Sequence, residues 1–317
     1  GGGYDEAVEV VGRMLDELRR PFPLLGKEVV VTASIGIAFS DDGADTTDVL
    51  LRNADLAMYR AKGSGKNCYE AFEPGMHAAV VERLDLEADL RRAVERREFV
   101  LDYQPIVDVV TRQVVGAEAL VRWQHPERGL LYPGAFIAVA EETGLINAIG
   151  LHVLQDAVTQ ASAWRRRFPG HASLLLSVNV SPRQLSDPRL VEWVTDVLAG
   201  TGSDPASLIL EITESATVHR EAGEQLHALK ALGLLLAVDD FGTGYSSLSY
   251  LQRLPIDVLK IDRSFVSGEA PDGSALAPAI VELARALRLR TIAEGVETAE
   301  QAERLVTWGC ELAQGFH

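Results

Sequence analysis

The stretch Leu234–Gly244, LLLAVDDFGTG, decides how the rest of this chain is read. An unbroken apolar run is the habit of a strand buried on both faces, as in parallel sheets. This run drives into two neighbouring carboxylates, Asp239 and Asp240, and then into a Gly-Thr-Gly turn. Burying an unpaired carboxylate is costly, so something must neutralise the pair. A divalent metal is the natural partner.

Working outward, apolar strand-like runs recur at 99–107, 114–121, 174–180, 208–212, 234–238, 258–261, 291–293 and 310–316. Helical spacing fills most of the gaps, over 133–149, 152–168, 188–198, 222–232 and 277–287. Eight strands alternating with helices predict an α/β fold of the TIM (β/α)8 barrel type. A doubly wound open sheet is the alternative, but its glycine-rich phosphate loop after the first strand is missing. The first two strands are joined by a short turn around Val109–Gln113, too short for a helical crossover. They should pair antiparallel, which makes the barrel a modified one with a single reversed strand.

Upstream, residues 4–20 have helical spacing, 28–39 read as a strand or hairpin arm, 47–62 as a helix and 68–72 as a short strand. This is a partial α+β unit. Pro74 and Gly75 mark a boundary, dividing residues 1–73 from 74–317. A charged amphipathic helix follows over 76–97.

Composition narrows the function. At 47% hydrophobic residues the chain is an ordinary globular sequence. The net charge of −16 argues against a nucleic-acid polymer or an anionic membrane as partner, since both need basic patches. A small phosphorylated ligand stays open, because bound cations reverse the local field. Cys68 and Cys310 lack metal-ligand spacing and read as reduced thiols of a cytoplasmic protein. No apolar segment approaches the ~20 residues needed to span a bilayer, and no signal peptide is visible. Any upstream membrane anchor would lie outside these residues.

Each strand of the second unit delivers polar residues at its end. These are Glu118 with Arg122, Asn179, Glu211 with Glu214, Asp239 with Asp240, Lys260 with Asp262, Glu294 with Glu297, and Gln314. In such a barrel the C-terminal strand ends form the active-site face. Carboxylate and amide oxygens suit hard ions such as Mg²⁺ or Mn²⁺, and the lack of a histidine cluster argues against zinc. Adjacent aspartates can bridge two ions ~3.5–4 Å apart, an arrangement that serves phosphodiester cleavage. Taken singly, each residue has a plainer reading: a cap or surface charge for one Glu, a turn residue for Asn179, a snorkelling side chain for Lys260. Their joint placement on successive strand ends favours a metal site.

The same residues resemble the EAL family of cyclic di-GMP phosphodiesterases. The naming triplet stands at Glu118-Ala119-Leu120. YQPI (103–106), LVRW (120–123), SVNVS (177–181), LEITES (210–215), DDFGTGYSSL (239–248), LKID (259–262), AEGVET (293–298) and AQG (313–315) match the family's blocks. The resemblance implies metal-dependent hydrolysis of cyclic di-GMP to linear pGpG with two ions, Mg²⁺ or Mn²⁺. It implies Glu118, Asn179, Glu211, Asp239, Asp240 and Asp262 as metal ligands. Glu294 is implied either as a ligand of the second metal or as the base. Lys260 would orient the attacking water or offset phosphate charge, with Glu118, Asp239 and Asp240 sharing the catalytic centre. Gln104, Arg122, Gln314 and Glu297 fall on the substrate side. Glu214 is implied to brace the loop Phe241–Ser247, which in the family couples the metal site to a homodimer interface through the barrel. A receptor that binds cyclic di-GMP without turning it over is the alternative from the binding class. A barrel enzyme acting on an enolate or a sugar phosphate is the remote third.

RRPF (19–22), VTASIGIA (31–38) and LLRNADLAMYRAKGSGKN (50–67) are similar to the second half of a GGDEF diguanylate cyclase domain. Lys62 and Lys66 match positions expected near a phosphate. The signature hairpin of that domain is absent, and Gly1-Gly2-Gly3 does not replace it. No cyclase activity is therefore expected. Family members also continue past the AQG block, so an incomplete eighth strand is expected to weaken barrel closure and leave a sheet edge open.

Overall fold

The computed structural model describes residues 2–24, 27–40, 45–63, 67–168, 170, 174–214, 216, 220–242, 251–267 and 273–315. Two compact units divide between Asp89 and Leu90, inside the helix Met76–Arg96.

In the first unit, a helix over Gly2–Leu18 precedes the hairpin β1 (Phe22–Leu24) and β2 (Lys27–Val29). β3 (Ile35–Ile37) then pairs in parallel with β4 (Tyr69–Ala71), with the helix Thr47–Gly63 between them. Ala57 and Ala61 are the buried residues of that helix. Residues 28–39, expected as a strand or hairpin arm, hold a hairpin arm, β2, and a second strand, β3. The reason is a change of partner: β2 turns back on β1, whereas β3 needs the parallel crossover to β4.

The second unit is a closed eight-stranded barrel. Its strands are β5 (Phe99–Asp108), β6 (Val114–His125), β8 (Leu175–Val180), β9 (Leu208–Thr213), β10 (Leu235–Phe241), β11 (Val258–Ile261), β12 (Arg290–Val296) and β13 (Leu312–Gly315). β5 is the reversed strand, antiparallel to both β6 and β13, and all other neighbours in the ring are parallel. A short tab, β7 (Gly129–Leu131), pairs with the far end of β6 outside the ring. The expected open edge is corrected here: Leu312 and Ala313 pair with β12 on one side and β5 on the other, so the ring closes through β13.

Two departures of the helices from expectation are instructive. Residues 133–168 were expected to break between 149 and 152, where Gly150 stands. The observed break lies at Gly144, which caps Ile137–Thr143 in the left-handed region (φ 80°), and Ile146–Arg167 then runs on through Gly150. Gly150 serves close packing instead, because a Cβ there would lie 1.8 Å from the Gln184 side chain. The helix Ala299–Trp308 is absent from the sequence reading, although it carries a sequence signature. Thr298 and Gln301 form a reciprocal capping box at its start.

Alternation within the barrel explains the site. Ile106, Ile209, Ala237, Val258, Ile292 and Leu312 form one buried cluster that plugs the interior. Side chains along a strand repeat with period two, so the next inward layer lies two residues further. On the parallel strands those residues are Glu211, Asp239, Lys260, Glu294 and Gln314, and on reversed β5 the residue is Gln104. Glu118 lies opposite Gln104, and Asn179 is level with Glu211. An apolar plug carries a polar layer directly above it.

Candidate active site

Lys260 is the centre of that layer. Its ammonium lies 2.6 Å from Glu294, 2.7 Å from Glu211, 3.1 Å from Asp239 and 3.4 Å from Glu118. Only 1% of Lys260 is exposed, and Glu118 and Glu211 are also buried at 4% and 1%. One buried positive charge therefore faces four carboxylates.

The remaining lone pairs are partnered by neighbours on the same face. Asn179 Nδ2 donates to Glu118 Oε1 at 2.6 Å, and Gln314 Nε2 donates to Glu118 Oε2 at 2.6 Å and to Gln104 Oε1 at 2.8 Å. Ser177 Oγ donates to Glu211 Oε1. Ser177 opens the SVNVS block but has no role in the sequence reading, yet it lies two residues before Asn179, on the same inward face of β8.

Burial pushes the Glu211 carboxyl up to about 8, and the charges of Glu118 and Asp239 add to this against the pull of Lys260. Glu294 is pushed up to about 7, again by burial first, with Asp239 adding and Lys260 opposing. Burial also pushes Glu118 upward, but Lys260 and the hydrogen bonds from Gln314 and Asn179 outweigh it, and its carboxyl stays below the usual range. Lys260 is held well above its ordinary value: burial works against its charge, and the four carboxylates win.

These shifts set a stability prediction. A carboxyl raised in the fold binds a proton that the unfolded chain has already released, so its contribution falls as pH rises from ~4.5 toward the folded value. Glu211→Gln mimics the protonated state. Without metal, its melting temperature should increasingly exceed that of wild type between pH 5 and pH 8. A difference independent of pH would show that the Glu211 carboxyl is not raised.

Asp239, Asp240 and Glu294 each present an oxygen, and these atoms lie within 4.8 Å of one another. Asp240 takes the left-handed region (φ 53°), and its backbone N–H donates to Asp239 Oδ1 at 3.0 Å. Burial, then Asp239 and Asp262, raise its carboxyl. Every candidate ligand oxygen belongs to a carboxylate or an amide, which fits a hard divalent cation.

Asp262 is near enough to Asp240 to act on its charge, whereas Glu297 lies out on the surface. Asp262 Oδ1 accepts from the Ser264 N–H at 3.0 Å, at the start of the helix Arg263–Ser267. Glu297 is exposed just past β12, and its N–H donates to Gln301 Oε1 at 2.7 Å.

Arg122 is on the same face of β6 as Glu118, four residues nearer the rim. Its Nε lies 2.9 Å from Asp102 Oδ2, its Nη1 donates to the Val121 carbonyl at 2.9 Å, and its guanidinium sits 4.8 Å over the Tyr132 ring. Asp102 and Tyr132 are not in the sequence reading. Asp102 could have been found from its spacing, two residues from Gln104 on the inward face of β5.

Glu214 accepts the Gly242 N–H at 2.9 Å, just after the Asp239-Asp240 pair. The rest of the loop, residues 243–250, and Lys66 lie outside the described residues. Glu214→Ala leaves that N–H without its acceptor, a loss of about 1–3 kcal/mol where the group is buried. Metal affinity should fall several-fold, and the melting temperature should drop by several degrees. Calorimetric titration that finds equal affinity in both proteins would remove the bracing role.

Among the described residues, no single helix is long and apolar enough to cross a membrane.

Comparisons with known proteins agree with this geometry. Residues 87–317 match the EAL domain and residues 3–68 match the diguanylate cyclase GGDEF domain. The chain is 44% identical over 316 residues to the bifunctional diguanylate cyclase/cyclic di-GMP phosphodiesterase MucR of Pseudomonas aeruginosa, covering 98% of the chain and 46% of MucR. It is 40% identical over 311 residues to the cyclic di-GMP phosphodiesterase PdeR of Escherichia coli, covering 97% of the chain and 46% of PdeR. The chain thus spans under half the length of these two relatives. Among solved structures, the PaMucR phosphodiesterase in complex with c-di-GMP superposes with a TM-score of 0.70 at 46% identity, covering 73% of this chain and 95% of that one. The EAL enzyme Bd1971, bound to cAMP and cyclic di-GMP, gives 0.73 at 32% identity, covering 86% and 73%. With its polar layer built on the strand ends and its barrel matched throughout, the chain belongs to the EAL domain family, preceded by a segment of GGDEF type.

Proposed function

We propose that this chain hydrolyses cyclic di-GMP to linear pGpG with the help of two divalent cations, Mg²⁺ or Mn²⁺. The observation that carries the reading is the convergence of Glu118, Glu211, Asp239 and Glu294 within 3.4 Å of one buried ammonium. The relatives named above support the choice of substrate. Glu118, Asn179, Glu211, Asp239, Asp240 and Asp262 are the proposed ligands. When bound, such ions stabilise charge on the phosphodiester and strengthen water as a nucleophile.

The chain's own groups do the rest. Water adds to phosphorus, one P–O bond of the ring breaks, and the departing sugar oxygen takes a proton. Glu294, raised toward neutrality, is suited to accept the water's proton near pH 7 or to act as a ligand. Lys260 offers a positive charge beside the reacting phosphate. Arg122, Gln104 and Gln314 line the substrate side, with Glu297 at the outer edge. Glu214 holds the start of the loop after Asp240. The barrel is proposed to act as a homodimer in the cytoplasm.

The test is chromatographic. The purified chain with cyclic di-GMP and Mg²⁺ or Mn²⁺ should release pGpG, and EDTA should stop it. Binding without product would favour the receptor reading.

A further inference from the structure

The tab beyond β6 carries a feature outside the metal layer. In the β6–β7 pairing, His125 lies opposite Gly129, Gln124 opposite Leu130 and Trp123 opposite Leu131. Continuing the count brings Tyr132 opposite Arg122. Residues opposite each other in an antiparallel pair share a face, and alternation along β6 puts Arg122 on the face of Glu118. Tyr132 therefore stands at the barrel mouth, on the side of the carboxylate layer.

Its neighbours define its setting. Pro133 follows it and opens a 3-10 turn over Pro133–Ala135, for which Tyr132 is the N-cap, and Phe136 is fully buried just beyond. Arg122 is only 9% exposed, fixed by Asp102 and the Val121 carbonyl, and lies over the ring. Tyr132 itself is 61% exposed. A large aromatic left open at the barrel mouth, with a buried guanidinium covering part of it, has a flat surface for another ring. Aromatic faces and guanidinium planes are what unpaired nucleobases stack on.

We propose that Tyr132 is the stacking shelf for one guanine of the cyclic dinucleotide. This rests on the phosphodiesterase reading, and Tyr132 would set affinity for the base while the metal layer acts on the phosphate.

The experiment compares wild type, Tyr132→Ala and Tyr132→Phe, measuring the Kd for cyclic di-GMP by calorimetry together with KM and kcat for pGpG release. Tyr132→Ala should raise Kd and KM about tenfold, the size expected for one lost base–aromatic stack, with kcat changed less than twofold. Tyr132→Phe should restore wild-type values, because it keeps the ring. An unchanged Kd in Tyr132→Ala overturns the proposal. So does a Tyr132→Phe that behaves like Ala, or a kcat loss as large as the KM gain, which would mean that the ring serves the chemistry through Arg122. Wild-type binding without pGpG would sink only the hydrolytic reading, and the ratio of Kd values would still decide on Tyr132. No binding by wild type would overturn both.

Discussion

Asp239→Asn is expected to abolish pGpG release while leaving the barrel folded. Asparagine keeps the side-chain shape and an oxygen that can accept the Asp240 N–H, so the local backbone has no reason to move. What disappears is one negative charge 3.1 Å from Lys260 and within reach of Asp240 and Glu294. Asp239 also raises the carboxyls of Glu211 and Glu294, so its neutralisation relieves crowding in the metal-free protein. Folding should survive and catalysis should not. A loss of about a thousandfold in kcat is the expected scale, that of removing one preorganised electrostatic contact. Turnover near wild type, with an unchanged metal requirement, would remove Asp239 from the centre. Glu118→Ala should behave likewise in activity, although it also strands the amides of Asn179 and Gln314.

Lys260→Met is expected to have the largest effect on stability. The ammonium is the shared partner of four carboxylates in a layer where Glu118 and Glu211 are almost wholly buried. Removing one partner of a buried ion pair typically costs about 3–5 kcal/mol, because the remaining charge is stranded. The metal-free variant should therefore melt well below wild type. Divalent metal supplies the missing positive charge, so Mn²⁺ should raise the variant's melting temperature by more than it raises that of wild type. Equal melting temperatures without metal would show that Lys260 is not what holds the carboxylates together.

Much of the barrel was legible because its signals are local. Runs such as 174–180 and 208–212 are apolar and short, and their spacing leaves room for one helix each. The reversed first strand followed from the brief turn at Val109–Gln113. The helix break was misplaced because Gly144 and Gly150 look alike in sequence. Only the packing of Gln184 against one and the left-handed turn at the other tell them apart. Ser177, Asp102 and Tyr132 escaped for a related reason. A serine, an aspartate and a tyrosine are unremarkable until their neighbours across the sheet are known.

The sequence by itself determined which residues stand at strand ends, since the alternation of apolar and polar types is written along the chain. It thereby determined the family and the carboxylate and amide chemistry of the strand ends. Only the tertiary structure decided who meets whom. Closing the sheet through β13 and β5 brings residues as distant as Gln104 and Gln314 within 2.8 Å. The same closure puts Lys260 at the centre of four carboxylates from β6, β9, β10 and β12. The raised carboxyls of Glu211 and Glu294 and the lowered one of Glu118 follow from the balance of burial against Lys260, a property of the assembled layer and of no single stretch.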